Sequence, residues 1–267
     1  MKILKFIQAL LRAFLFVVAI TSYLLVAGLF YPYYLISPMK ARRILCRLVS
    51  FYCRVGLLLL GFEVSENYKV DKLKVVDKNF LIVSNHMSYM DILVMCSRHP
   101  ACFVTSVEMR DIPFLGHMCK LAGCVFVERR NKDNLGREIS EITEALKAGL
   151  NVVIFPEATS TNGEGVIRFK RPLFRSSMDS EIAVLPMTVN YTHLDGLKVD
   201  KSNRDYVCWY GDMTFADHLF KLLSITSTRA SLTIGEYIEP RSYPEDLDNF
   251  VLMAHDRVAE NFFPFTS

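Results

Sequence analysis

The chain has 267 residues, of which 51% are hydrophobic and 22% are charged, and its formal net charge is +3. This length and apolar content are sufficient for a packed core and exclude an intrinsically disordered chain. The small net charge gives no basis for binding nucleic acid, and no nucleic-acid-binding motif occurs, so we expect no nucleic-acid partner.

The N-terminal segment predicts attachment to a membrane. No charged residue occurs between Arg12 and Lys40, and this apolar stretch is longer than the ~20 residues that a helix needs to cross a bilayer. A cleaved signal peptide is disfavoured, because its apolar part is usually shorter and no clear cleavage site precedes Pro38. Residues 1–61 are therefore predicted to be a membrane-embedded helical segment that anchors the protein.

The flanks of this stretch leave its topology open. Basic residues lie on both sides of it, namely Lys2, Lys5 and Arg12 before it and Lys40, Arg42, Arg43 and Arg47 after it. Positive residues favour the cytoplasmic side, so both a single span and a pair of helices that enters one leaflet and returns are consistent with the pattern. A second apolar run, 55–62, is too short to cross and is expected to lie along the membrane or on the domain. In either topology we expect a membrane protein whose catalytic domain faces the cytosol.

From about residue 62, short apolar runs alternate with helical stretches. The apolar runs predict strands at 79–86, 102–107, 124–129, 151–157 and 182–191. Helices are predicted between them, at 88–98, 113–122 and 133–148. This alternation predicts one α/β domain over 62–267, with a mostly parallel sheet flanked by helices on both faces.

Two polar residues lie at the carboxyl ends of predicted strands, where the active groups of α/β sheets gather. They are His86 and Glu157, and Asp91 lies about one turn into the helix after His86. A carboxylate that accepts from one imidazole nitrogen fixes the tautomer and leaves the other nitrogen free to act as a base. An alcohol that attacks a thioester needs such a base, because a hydroxyl is a poor nucleophile. The spacing alone is also compatible with a satisfied histidine beside a capped helix.

Four blocks in a fixed order strengthen the catalytic interpretation. Residues 85–91 read N-H-M-S-Y-M-D, 123–129 read G-C-V-F-V-E-R, 155–160 read F-P-E-A-T-S and 184–186 read V-L-P. They resemble, in turn, an N-H-x4-D signature, a Gly before an apolar strand and an Arg, an F-P-E-G-T block, and a short apolar run with Pro. In these four blocks the chain resembles the glycerolipid acyltransferases, the family of the 1-acylglycerol-3-phosphate acyltransferases.

The resemblance implies an acyltransferase of phospholipid biosynthesis and a role for each matched residue. His86 would be the general base and Asp91 the residue that orients it. Arg129 would bind the phosphate of the lysolipid acceptor, while Glu157 and Thr159 would shape the acceptor pocket. Acyl-CoA or acyl carrier protein would be the co-substrate, and no bound cofactor is implied.

Basic side chains near the predicted catalytic edge agree with an anionic ligand. One group, Arg129, Arg130 and Lys132, follows a predicted strand, and another, Arg168, Lys170 and Arg171, follows the Glu157 loop. Because such side chains bind phosphates, we include Lys170 among the substrate-binding candidates, although solvated surface charge is an equally simple reading. No histidine occurs in a metal-binding motif, so no metal site is predicted.

The third block departs from the family pattern at two positions, with Ala158 in place of Gly and Ser160 where Arg is frequent. Losing the Arg removes one phosphate contact, so lysophosphatidic acid need not be the only acceptor. The alternatives are another lysolipid such as lyso-ornithine lipid, a CoA-independent phospholipid transacylase, and a non-enzymatic membrane lipid-binding scaffold. A lipid hydrolase is disfavoured because no G-x-S-x-G motif occurs.

Overall fold

The structure is a computed structural model that describes residues 2–107, 111, 115–127 and 134–266. Within these ranges eight strands form one sheet. They are β1 (Phe62–Tyr68), β2 (Leu81–Ser84), β3 (Cys102–Ser106), β4 (Val125–Val127), β5 (Val152–Ile154), β6 (Val184–Leu194), β7 (Leu197–Lys198) and β8 (Thr228–Ile234).

The strand order is β1-β8-β6-β2-β5-β3-β4, with β7 paired to β6. Strands β6, β2, β5, β3 and β4 are parallel neighbours, whereas β8 runs antiparallel to β6 and β1 runs parallel to β8. The predicted mostly parallel sheet is therefore confirmed, but the prediction missed β1, β7 and β8. Strand β1 is a largely exposed edge with four polar residues in seven, so it lacks the continuous apolar run of a buried parallel strand.

The described helices are α1 (Lys2–Leu29), α2 (Tyr31–Ile36), α3 (Pro38–Leu59), α4 (Leu73–Val76), α5 (Met90–Arg98), α6 (Leu115–Leu121), α7 (Leu135–Lys147), α8 (Arg175–Ser180), α9 (Phe215–Leu223) and α10 (Leu247–Ala259). They cover both faces of the sheet, as predicted. Alternate residues of β2 enter different cores: Ile82 packs with α3 and α5, while Leu81 and Val83 pack with α7 and α10. Two buried faces explain why β2 has no polar alternation.

Helix α1 lies along the domain. Its segment Phe6–Leu29 is long and apolar enough to cross a membrane, yet α1 contacts α3, α9 and α6. Near its start, the Arg12 guanidinium donates hydrogen bonds to the carbonyls of Ile225 and Thr226. Near its end, Tyr23 and Ala27 pack against Leu45 of α3. The helix therefore follows the flank of the domain at both ends.

Helix α3 joins this N-terminal segment to the sheet. The apolar run 55–62 is not an element of its own, because its first residues complete α3 and Phe62 begins β1. Helix α3 packs against α5, and Arg54 donates to the Ser97 carbonyl at 2.7 Å. The predicted boundary between residues 61 and 62 thus falls at the junction of α3 and β1.

Candidate active site

His86 and Asp91 lie together at the carboxyl end of β2. The strand ends at Ser84, and α5 begins at Met90, so the intervening loop turns Asp91 back toward the imidazole. His86 Nδ1 and Asp91 Oδ2 are 2.9 Å apart. The His86 side chain is 19% exposed, whereas that of Asp91 is fully buried. Among the described residues no hydrogen bond to His86 Nε2 is formed.

The Asp91 carboxylate is held by donors from two parts of the chain. Its Oδ2 accepts the backbone N–H of Met87 at 2.7 Å and of Ser88 at 2.9 Å. Its Oδ1 accepts the phenol of Tyr191, which lies in β6. With His86, four donors therefore compensate a carboxylate that has no contact with solvent, as burial of a charge requires.

Hydrogen bonds of Asn85 and of the His86 carbonyl fix the backbone around the imidazole. The Asn85 side chain donates to the Val189 carbonyl at 3.0 Å and accepts the Val189 N–H at 2.9 Å. An amide offers both a donor and an acceptor, so Asn85 continues the pairing of β2 with β6 after the strand has ended. The carbonyl of His86 accepts the N–H of Thr161 at 2.8 Å. These bonds hold the imidazole between the loops that follow β2 and β5.

The loop after β5 packs directly on the imidazole. The Phe155 ring stacks on the His86 ring with centroids 4.0 Å apart. A turn then closes with the Ala158 N–H donating to the Phe155 carbonyl at 3.0 Å, and Pro156 occupies the position of such turns that favours proline. The F-P-E block is thus a stacking ring, a turn residue and a buried acid.

Glu157 is buried beside this pair and does not reach the surface. It is 2% exposed, and neither of its carboxyl oxygens has a well-formed hydrogen bond among the described residues. Burial, with the charge of Asp91, raises the pKa of Glu157 to about 8, against the opposing effect of the backbone amides of His86 and Ile167. Glu157 is therefore a neutral acid at pH 7, and its side chain lies inside the domain. Its role in shaping the acceptor pocket stays a prediction.

Ala158 has a left-handed backbone with φ of +60°. This conformation costs an L-residue with a Cβ roughly 1–2 kcal/mol, and glycine adopts it freely. The family pattern has Gly at this position of the third block, so the departure noted in the sequence carries a local strain.

The other predicted residues lie at the same edge with different exposure. Thr159 is exposed in the loop that packs on His86. Lys170 also has an exposed side chain, and its backbone N–H donates to the Pro156 carbonyl at 2.8 Å. Arg129, with 128–133, lies outside the described residues. The structure thus brings His86, Asp91, Glu157, Thr159 and Lys170 to one edge of the sheet.

Sequence reasoning missed three residues of this site. No sequence pattern assigned a role to Tyr191, Phe155 or Thr161. Tyr191 is 100 positions from Asp91, so no local spacing relates them. Phe155 did carry a signal, because an aromatic residue opened a block that matched the family. Within the described ranges, no three His, Cys, Asp or Glu side chains cluster as metal ligands.

Comparison with known proteins identifies the family. The family profile described as Acyltransferase matches residues 62–190. A lyso-ornithine lipid O-acyltransferase of Brucella abortus is 32% identical over 197 residues, which are 71% of this chain and 72% of that protein. The chain belongs to the acyltransferase family. The resemblance seen in the four blocks is therefore confirmed, and the protein is an acyltransferase.

One further relative is similar in sequence, and one solved structure is similar in fold. A 1-acyl-sn-glycerol-3-phosphate acyltransferase of Neisseria gonorrhoeae is 30% identical over 145 residues, or 54% of each chain. The crystal structure of the 1-acyl-sn-glycerophosphate acyltransferase PlsC from Thermotoga maritima matches with a TM-score of 0.64 at 22% identity, covering 96% of both chains. The second match establishes the fold, including the N-terminal helices.

We predict that Ala158→Gly stabilises the acyltransferase. Removing the Cβ relieves the left-handed strain of roughly 1–2 kcal/mol, and the greater freedom of glycine in the unfolded chain offsets about half of this gain. Thermal unfolding in detergent should show a higher midpoint. Ala148→Gly is the matched control, because Ala148 has φ of −76° and should lose stability. Equal losses at both positions would contradict the strain argument.

We also predict that Glu157→Gln changes how stability depends on pH. The folded-state pKa of Glu157 is raised to about 8, so the wild type is most stable below about 4.5, the ordinary glutamate value, and loses stability as pH rises to 8. Glutamine cannot ionise. The unfolding midpoint of Glu157→Gln minus that of the wild type should therefore increase between pH 5 and pH 8.

The control for this experiment is Glu164→Gln. Glu164 is exposed, and its ion pair with Arg204 lowers its pKa, so it is ionised throughout the range from pH 5 to pH 8. Its midpoint difference from the wild type should stay constant there. A constant difference for Glu157→Gln as well would mean that the buried acid does not hold a proton.

Proposed function

We propose that this acyltransferase transfers an acyl chain from a thioester donor to the hydroxyl of a lysolipid, with His86 as the general base. The observation that carries the proposal is the His86–Asp91 contact of 2.9 Å with the opposite imidazole nitrogen unengaged. Asp91 accepts from Nδ1 and thereby sets the tautomer in which Nε2 takes a proton. The buried carboxylate also stabilises the imidazolium that forms.

The reaction follows from this arrangement. The acceptor hydroxyl gives its proton to His86 Nε2 as its oxygen attacks the thioester carbonyl. The new O–C bond forms, and the tetrahedral intermediate then breaks its C–S bond. The imidazolium returns the proton to the departing thiolate, so the base is regenerated and no enzyme nucleophile is consumed. Phe155, stacked on the ring, keeps the imidazole in the orientation this exchange requires.

The acceptor is a lysolipid, and lyso-ornithine lipid is the first to test. A relative named for that acceptor aligns over 71% of this chain, and Ser160 stands where a phosphate-binding arginine is frequent in the family pattern. Lysophosphatidic acid is the second candidate, supported by the four blocks and by the relative from Neisseria gonorrhoeae. For an anionic acceptor, we assign headgroup binding to Arg129, with Lys170 and Thr159 as neighbouring contacts.

The donor is acyl-CoA or acyl carrier protein. Both present a thioester on a phosphopantetheine arm, and both bring negative charge to the protein surface. Lys170 and Arg168 are exposed near the loop that packs on His86, and neither has an acidic partner within residues 2–107, 111, 115–127 and 134–266. They are the side chains we assign to the donor's negative charge.

The N-terminal helices place the enzyme on one leaflet of the membrane. Near its start, α1 is hydrogen-bonded to the domain through Arg12, and near its end it packs on α3 and α6. It therefore lies along the domain surface. Its outward face is apolar and exposed, and it includes Phe6, Leu10, Phe14, Val17 and Leu25. This geometry favours the pair of helices that enters one leaflet and returns over a single crossing.

Purified enzyme offered a panel of lysolipids with either acyl-CoA or acyl carrier protein tests the reaction. We expect one lysolipid to be esterified by wild-type enzyme. His86→Ala should abolish transfer while the protein stays folded and membrane-bound. Asp91→Asn should slow transfer by about 10⁴-fold, the effect of losing tautomer control in a comparable His–Asp pair.

Near-normal turnover by His86→Ala would refute the proposed base. Transfer only when a second phospholipid replaces the thioester donor would identify the transacylase alternative. Binding of lysolipid without any transfer, in wild type and variants alike, would favour the scaffold.

The membrane arrangement is tested with epitope tags at both termini in sealed vesicles. If α1 lies in one leaflet, protease added from the side of the catalytic domain should remove both tags. Protection of the N-terminal tag alone would show that α1 crosses the bilayer. A control with detergent-opened vesicles establishes that both tags are cleavable.

A further inference from the structure

Tyr191 is the only donor to Asp91 that comes from outside the loop of residues 86–91 among the described residues. Asp91 Oδ2 is occupied by His86 Nδ1 and two backbone N–H groups, whereas Oδ1 has the Tyr191 phenol. Tyr191 is itself buried, and burial together with the charge of Asp91 raises its pKa. The phenol therefore stays protonated and acts as a donor across the range in which enzymes work.

The sheet topology brings the Tyr191 phenol to Asp91. Strands β2 and β6 are parallel neighbours, and Ser84 at the end of β2 pairs with Met187. Strand β6 is 11 residues long, so it continues past the end of β2 and carries Tyr191 to the level of the loop that holds His86. A register irregularity lies between Tyr191 and His193, and such bulges redirect side chains beside active sites.

The ring of Tyr191 is fixed independently of its hydroxyl. It packs edge-on against Phe62 at a centroid distance of 6.4 Å, and both residues belong to the core beneath α5. The hydroxyl can therefore be removed while the ring keeps its packing, so the hydrogen bond can be tested apart from the fold.

We infer that Tyr191 is a positioning residue for the catalytic pair, which locks the Asp91 carboxylate so that Oδ2 faces His86. The torsion that rotates an aspartate carboxylate is broad and two-fold, so donors on Oδ2 alone leave its orientation weakly defined. A donor on Oδ1 from a second element fixes it. The inference rests on the proposed role of His86 as the base.

The hydrogen bond from Tyr191 also changes the negative charge that the Asp91 carboxylate presents to His86. A donor on Oδ1 withdraws negative charge from the carboxylate, so its loss leaves more charge facing the imidazole and favours the imidazolium. Within the part of the chain that the structure describes, Glu157 and Cys208 interact electrostatically with Asp91, and Tyr89 interacts with Tyr191. Glu157 is neutral near pH 7, and burial raises the pKa of the Cys208 thiol and of the Tyr89 phenol, so none of these three adds charge below neutral pH.

The test is Tyr191→Phe, assayed for acyl transfer across pH. We expect a fall in kcat of roughly tenfold, the size of one lost charge-assisted hydrogen bond, with KM nearly unchanged because Tyr191 is buried away from substrate. The acid limb of the rate profile should move to higher pH, because His86 then stays protonated up to a higher pH and cannot act as a base. A merely structural role would not move that limb.

Tyr68→Phe is the matched control, since the Tyr68 phenol also donates to a carboxylate, that of Glu66 at 3.1 Å, on the edge strand β1, which β8 and β6 separate from β2. It should leave kcat and the acid limb unchanged. If Tyr191→Phe does not fold, 3-fluorotyrosine at position 191 keeps the ring and strengthens the donor, and it should move the acid limb to lower pH.

Wild-type kcat with an unmoved acid limb in Tyr191→Phe would overturn the inference, as would an unmoved limb in the 3-fluorotyrosine protein. Either result leaves the proposed function intact, provided that His86→Ala is inactive. Activity in His86→Ala, by contrast, would refute the proposed function itself.

Discussion

A fully buried carboxylate governs the architecture of this acyltransferase. Asp91 has no contact with solvent, and an ionised carboxylate without compensating donors costs several kcal/mol in such a place. The compensation comes from the loop after β2, from the imidazole and from β6. The loop, the start of α5 and the far end of β6 therefore meet at one point, the His86–Asp91 pair.

The charge of Asp91 also explains the second acid of the site. Glu157 is buried near Asp91, and two ionised carboxylates cannot share a volume with so little water. Desolvation and the neighbouring charge keep Glu157 protonated near neutral pH. The two acids of the site thus differ in their hydrogen bonds: Asp91 has four donors, and Glu157 has none of good geometry among the described residues.

The loop that carries Glu157 is shaped by its proline turn and by its contacts with His86. Phe155 stacks on the imidazole, Pro156 starts a turn, and the turn brings Thr161 to the His86 carbonyl. Thr159 is exposed in this loop, and the Lys170 backbone N–H donates to the Pro156 carbonyl. The N-terminal helices cover the flank of the same domain and present an apolar outer face.

The sequence by itself determined the parts of this protein that local patterns encode. Continuous apolar runs predicted the parallel strands β2 to β6, because strands buried on both faces have no polar alternation, and the four blocks predicted the family. The spacing of His86 and Asp91 placed both groups at one strand end. The tertiary structure alone decided what depends on contacts between distant segments. It paired the exposed edge strand β1 with β8, laid α1 along the domain, and brought Tyr191 to Asp91 from 100 positions away. Burial of Glu157 is of the same kind, because the packing of neighbouring elements sets how much water reaches a side chain, and no residue pattern within one segment records it.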